Sequence, residues 1–127
     1  MNSIISNAHS GWQYVALISV IVAIVVAWRA GTVWTDSNTK VYSYAAIAVD
    51  IQVTLGILSW IMLSGWNGGL AQGWIHPVAG FGALGAIHAF LGRARAAADA
   101  TSHTLVRNGF LLGLALIVVA IGLGEIV

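Results

Sequence analysis

Along the chain, hydrophobic positions gather into four long runs separated by short polar stretches. The first runs from about Trp12 to Arg29, and its centre, Val15 to Ala27, is interrupted only by Ser19. The second covers about 41–64, the third about 73–91 and the fourth about 104–126. The hydrocarbon core of a bilayer takes about 20 mostly apolar residues of helix, so each run predicts a membrane-spanning helix. The connections are short, which makes consecutive helices antiparallel neighbours. The expected fold is therefore all-α, a transmembrane four-helix bundle running up-down-up-down, one domain over residues 1–127. The first run does not read as a removable signal peptide, because it has no basic start and three more spans follow.

Composition sharpens this picture. Hydrophobic residues make up 59% of the 127 residues and charged residues 7%, against about 25% charged in a soluble domain. A net charge of +1 leaves no footprint for nucleic acid. The absence of cysteine excludes disulfides, thiolate metal sites, iron–sulfur clusters and a cysteine nucleophile. Arg29 and Lys40 bracket the first loop, and Arg93, Arg95 and Arg107 bracket the third, whereas the N-terminal tail and the stretch 65–73 carry no Lys or Arg. The positive-inside rule then puts both basic loops on the cytoplasmic side and both termini outside. Trp12, Trp66 and Trp74 fall near the outer boundary, and Trp28, Trp34, Tyr42 and Tyr44 near the inner one. In the third span Ala79 and Ala83, Gly82 and Ala86, and Gly85 and Ala89 have the small-xxx-small spacing of close helix packing. Gly80 or Gly85 could instead make room for a flat cofactor.

Ionisable groups within spans are candidates for function, because lipid exposure is costly. His9 and His76 fall at the outer side, and His88 and His103 at the inner side. Two imidazoles from two helices are what a bis-histidine b-type haem requires, since neutral imidazole fills both axial positions without adding charge. There is no CxxCH, so covalent haem attachment is excluded. His76 and His88 are 12 residues apart, about 18 Å along a helix and about 120° around it, and cannot ligate one iron. His9 with His76 is the expected haem site, His9 serving only if helix extends outward to about Ser6 or the tail folds back. A second haem at His88 and His103 is the alternative, against His103 as an ordinary surface histidine.

Asp50 lies about 13 Å into the second span, where a carboxylate needs a partner or a proton. His88 on the next span is the natural partner. Together they could orient a haem ligand, relay protons for a quinone, or simply hold two helices together. Arg93 could bind haem propionates at the inner rim, although topology alone accounts for it. Glu125, near the outer end of the fourth span, is expected in the headgroup region. There is no HExxH, no GxSxG and no phosphate loop, so an electron carrier is expected rather than a stand-alone enzyme.

Four motifs in order add a resemblance: His9-Ser-Gly-Trp12, then Asp50, Gln52 and Gly56 in the second span, His76-Pro77 opening the third, and His88 followed by Gly92-Arg93. With these the chain resembles small four-span bacterial membrane proteins of the cytochrome b-like type. The resemblance implies a multi-pass protein of the bacterial inner (cytoplasmic) membrane with His9, His76 and His88 as characteristic metal-binding histidines. The functional expectation is a haem-b electron carrier exchanging electrons with quinone or a larger respiratory or photosynthetic complex. Two other readings stand beside it: a non-catalytic structural or assembly subunit that docks on larger membrane partners through its small-residue faces, and a quinone- or proton-handling module without haem; besides lipid, the partners expected are quinone, a larger complex or further copies in a homo-oligomer.

Overall fold

The computed structural model describes residues 2–97 and 101–126, without the side chains of residue 2 and of residues 123–126, which include Glu125. The protein is an all-α four-helix bundle, α1 Asn2–Arg29, α2 Asp36–Met62, α3 His76–Ala97 and α4 Ser102–Ile126. All four helices, α3 together with the turn before it, are long and apolar enough to span a membrane. Among the described residues there is no strand. The start of α1 meets the end of α2, the start of α3 and the end of α4, since His9 touches Gln52 and His76, and His76 touches Ala120. Direction therefore alternates through the bundle. Each helix packs on its sequence neighbours and α4 closes on α1, so α1 and α3 stand at opposite corners.

Outward faces carry large apolar side chains such as Ile18, Ile61, Val78 and Val118, and inward faces set many small ones among a few large ones, Tyr42, Ile87, Leu91 and Phe110. Ala16, Val20, Ala23 and Ala27 line the inside of α1, Ala45, Ala46, Ala48 and Val49 that of α2, and Ala79 and Ala83 that of α3. Lipid tails are as apolar as leucine, so helices in a bilayer hold together by close backbone approach and interhelical hydrogen bonds. The tightest seam, α3 on α4, depends on two glycines of α4. A Cβ on Gly109 would collide with Phe90, and one on Gly113 would stand 2.8 Å from Ile87. Gly82 serves the same seam from α3, facing Leu116, whereas Gly85 has open space around it.

The helix boundaries differ from the hydropathy runs at three places. α1 begins at Asn2, ten residues before Trp12, because Ser3, Ser6 and Asn7 interrupt the apolar run without breaking the helix. α2 begins at Asp36, capped by Thr35, whose side chain accepts from the Asn38 amide while the Asn38 side chain accepts from the Thr35 amide, a reciprocal capping box. Before α3 comes one π-helical turn, Ala71–Ile75. Its cause is Pro77, which has no N–H to give to the carbonyl one turn back at Gly73. That freed carbonyl accepts instead from Trp60 Nε1 at 2.8 Å. Trp60 in turn meets Trp66 and Trp74 edge-to-face and lies so close to Gly65 that no side chain fits there.

Candidate functional site

At the end of the bundle where α1 and α3 begin, two imidazoles come together edge-on near the axis. The rings of His9 and His76 have centroids 6.0 Å apart and planes at 89°. They come from opposite corners, α1 and α3, rather than from adjacent helices. Each is held by a main-chain carbonyl of a third helix: His9 Nδ1 donates to Gln52 O of α2 at 3.2 Å, and His76 Nδ1 to Ala120 O of α4 at 2.8 Å. A carbonyl only accepts, so each Nδ1 carries the proton and each Nε2 keeps its lone pair. Neither Nε2 has a partner among the described residues. All four helices thus contribute to two imidazoles presented with bare Nε2 atoms.

Helical start at Asn2 is what places His9 there. Gly56 of α2 makes the room, for a Cβ at that position would stand 2.9 Å from His9 Cε1. One turn inward, Trp12 Nε1 donates to Ala48 O at 2.8 Å and pins the start of α1 against α2. His76 sits where the π-turn gives way to α3, so its direction is set by the Pro77 irregularity.

A cleft runs past both rings. Its inner part, about 90 Å³, is walled by apolar side chains such as Val53, Ile57, Phe81 and Ile117. Its mouth, about 360 Å³, is rimmed by Ser10, Gln13, Ser59 and Gln72. Gln52 lines the inner part, and its side-chain Oε1 is buried without a hydrogen-bond partner among the described residues. Buried polar atoms are normally satisfied, so this acceptor is an exception in the wall of the cleft. Among the described residues no three His, Asp or Glu side chains converge, which leaves the two imidazoles as the donor set.

The remaining candidates lie elsewhere. His88 and Asp50 are paired, Nε2 to Oδ1 at 2.7 Å, on the outer surface between α2 and α3 rather than in the cleft. Arg93 lies over the ring of Phe90, 5.7 Å from its centroid, 17 residues along α3 from His76 and so about 26 Å away. It cannot reach a group held at His9 and His76. His103 is neither a surface residue nor a partner of His88. It is buried at the opposite end, stacked on Trp34, with Nδ1 against the Tyr42 hydroxyl at 2.8 Å and Nε2 against Val33 O at 2.9 Å. Both nitrogens are taken, so a second haem at His88 and His103 has no free ligand on the His103 side. Tyr42, expected in the inner aromatic belt, is instead fully buried as the partner of His103.

The chain matches no family model, no curated protein and no solved structure. The geometry of the cleft therefore carries the functional reading.

Proposed function

We propose that the protein is a membrane-embedded b-type cytochrome, with His9 Nε2 and His76 Nε2 as the two axial ligands of one haem and one-electron transfer as its activity. The observation that carries this is the pair of edge-on imidazoles, each with Nδ1 committed to a main-chain carbonyl. Metal-ligating histidines fix their second nitrogen in this way, which sets the tautomer and the ring orientation. With ring centroids 6.0 Å apart, His9 and His76 are close enough that one metal ion could be held by both.

The rest of the donor set suits the same group. The inner walls are apolar, as a macrocycle requires, but the inner part at about 90 Å³ is smaller than the several hundred Å³ of such sites and would have to widen to admit one. The hydroxyl and amide side chains of Ser10, Gln13, Ser59 and Gln72 match its carboxylates at the mouth. No Lys or Arg stands at this end, so the carboxylates would be held by neutral donors and by water. Bound there, the iron supplies reversible one-electron chemistry. The protein's own part is to keep two neutral imidazoles in place through both oxidation states, so that little reorganises when the charge changes. The position at one end of the bundle supports exchange with a partner arriving from that side of the membrane. An electron carrier of the inner membrane, with both termini outside, is the corresponding assignment of location.

The test is titration of the purified protein with haemin. One equivalent should produce a low-spin Soret band that sharpens on dithionite reduction. His9→Ala and His76→Ala should each lose the low-spin form, while His103→Ala retains it. A protein that binds no haem, or single variants that leave the spectrum unchanged, would overturn the assignment.

A further inference from the structure

A second polar feature lies outside the cleft and has no role in holding a haem. Asp50 stands 14 residues after Asp36 and 12 before Met62, close to the middle of a 27-residue membrane-length helix. Its Oδ1 is 2.7 Å from His88 Nε2, yet the side chains remain 39% and 48% exposed, on the outer surface of the α2–α3 seam. An acid–base pair facing lipid near mid-span is costly, and in a lone bundle lipid would offer it no hydrogen bond. Something polar must cover it.

The dyad itself says what. Two proton arrangements leave it without net charge: a carboxylic acid donating to Nε2, or a carboxylate beside an imidazolium. In both, Nδ1–H is left as a donor and Oδ2 as an acceptor on side chains that remain partly exposed. The third arrangement, carboxylate with neutral imidazole, leaves a bare negative charge in the apolar layer. Among the described residues neither Nδ1 nor Oδ2 has a partner. One free donor beside one free acceptor is self-complementary: a copy of the same surface turned by a two-fold axis offers an acceptor to the donor and a donor to the acceptor. A cationic or anionic partner would leave one of the two unsatisfied.

The surface around the dyad allows the approach. The buried face of α3 is Ala79, Ala83, Ile87, Leu91 and Ala94. Gly85, His88, Ala89 and Gly92 lie on the other side within about 100° of arc, all exposed, and nothing stands within 4 Å of a Cβ at Gly85 or Gly92. Backbones can come close there, as small residues permit in membranes.

We propose that this face of α2 and α3 is a dimerisation surface, occupied by a second copy of the chain, with the two Asp50–His88 dyads joined into one closed ring of hydrogen bonds across the two-fold axis. An isologous contact of this kind closes on itself and forms a dimer rather than a chain of copies. The inference is independent of the haem assignment.

The protein has no cysteine, so single cysteines report proximity cleanly. In native membranes Ala89→Cys should form an oxidative cross-linked dimer, and Val118→Cys, on the lipid face of α4, should not. In vesicles, energy transfer between labelled copies of otherwise unaltered protein should show a dimer. Asp50→Leu with His88→Leu should weaken it tenfold or more at equal protein-to-lipid ratio. Ala89→Ile, which leaves the dyad in place, should weaken it too and guards against misfolding of the double variant. Helical circular dichroism should be unchanged in each. A monomer at all protein-to-lipid ratios, cross-linking at 118 but not at 89, or a dimer indifferent to both sets of changes would overturn the proposal, and the last would assign the dyad to another occupant such as a quinol.

Discussion

Two residues, one in the site and one far from it, show how much rests on a missing or single atom. Gly56 is glycine because the His9 ring occupies the place of its Cβ. Gly56→Leu should therefore push His9 off its carbonyl at Gln52. The expected outcome is a folded protein with a weakened or high-spin haem signal and a loss of stability of about 1–3 kcal/mol, the usual cost of overpacking; thermal unfolding followed by circular dichroism alongside the optical spectrum checks it. At the opposite end, the Tyr42 hydroxyl is held by His103 Nδ1 at 2.8 Å inside the core. Tyr42→Phe leaves that nitrogen buried and unpaired, at about 1–3 kcal/mol. It should lower the melting temperature without touching the haem spectrum, which separates the stabilising histidine from the two proposed as ligands.

At the scale of elements, the four runs of hydropathy gave the helices their number and order, because span length and apolarity are properties of each segment alone. Their ends were less legible. The ten residues of α1 before Trp12 are polar enough to leave an apolar run yet contain no breaker before Gly11, and hydropathy is blind to that difference. The Asp50–His88 contact could be inferred from depth, since both are polar groups in adjacent spans. The burial of His103 could not, because a histidine beside Ser102 and Thr104 reads as loop until Trp34 and Tyr42 fold over it. The small residues of α3 signal close packing, but the closest approaches of the α3–α4 seam are at Gly109 and Gly113 of α4, glycines at the same four-residue spacing. Gly113→Val should collide with Ile87 and lower the unfolding temperature in detergent, whereas Gly85→Val, with open space around it, should leave the isolated bundle as stable as before.

For the whole molecule, the alternation of helix direction puts the His9–His76 cleft at one end and all five Lys and Arg residues away from it, toward the other end or its half of the bundle. Arg107 stacks over Trp28, 4.8 Å from its ring, and Arg95 donates to Ser43, so two of the cations also tie helices together. The positive-inside rule would put the basic loops in the cytoplasm, and on that proposed orientation the cleft opens on the outer side. Ser3→Cys and Gly69→Cys should then react with an impermeant maleimide in intact cells, and Asn38→Cys should react only after the membrane is opened. The reverse pattern would invert the molecule and put its electron-transfer partner in the cytoplasm.

In the proposed cytochrome the two imidazoles would hold one iron with their rings nearly perpendicular, and electron paramagnetic resonance of the ferric protein reads both the ligands and that angle. With ring planes at 89°, two of the iron d orbitals become nearly equal in energy, and a low-spin signal of large anisotropy is expected. It should vanish in His76→Ala and in His9→Ala, leaving high-spin iron. A purely high-spin signal from the unaltered protein, or a low-spin signal that survives loss of either histidine, would contradict the account.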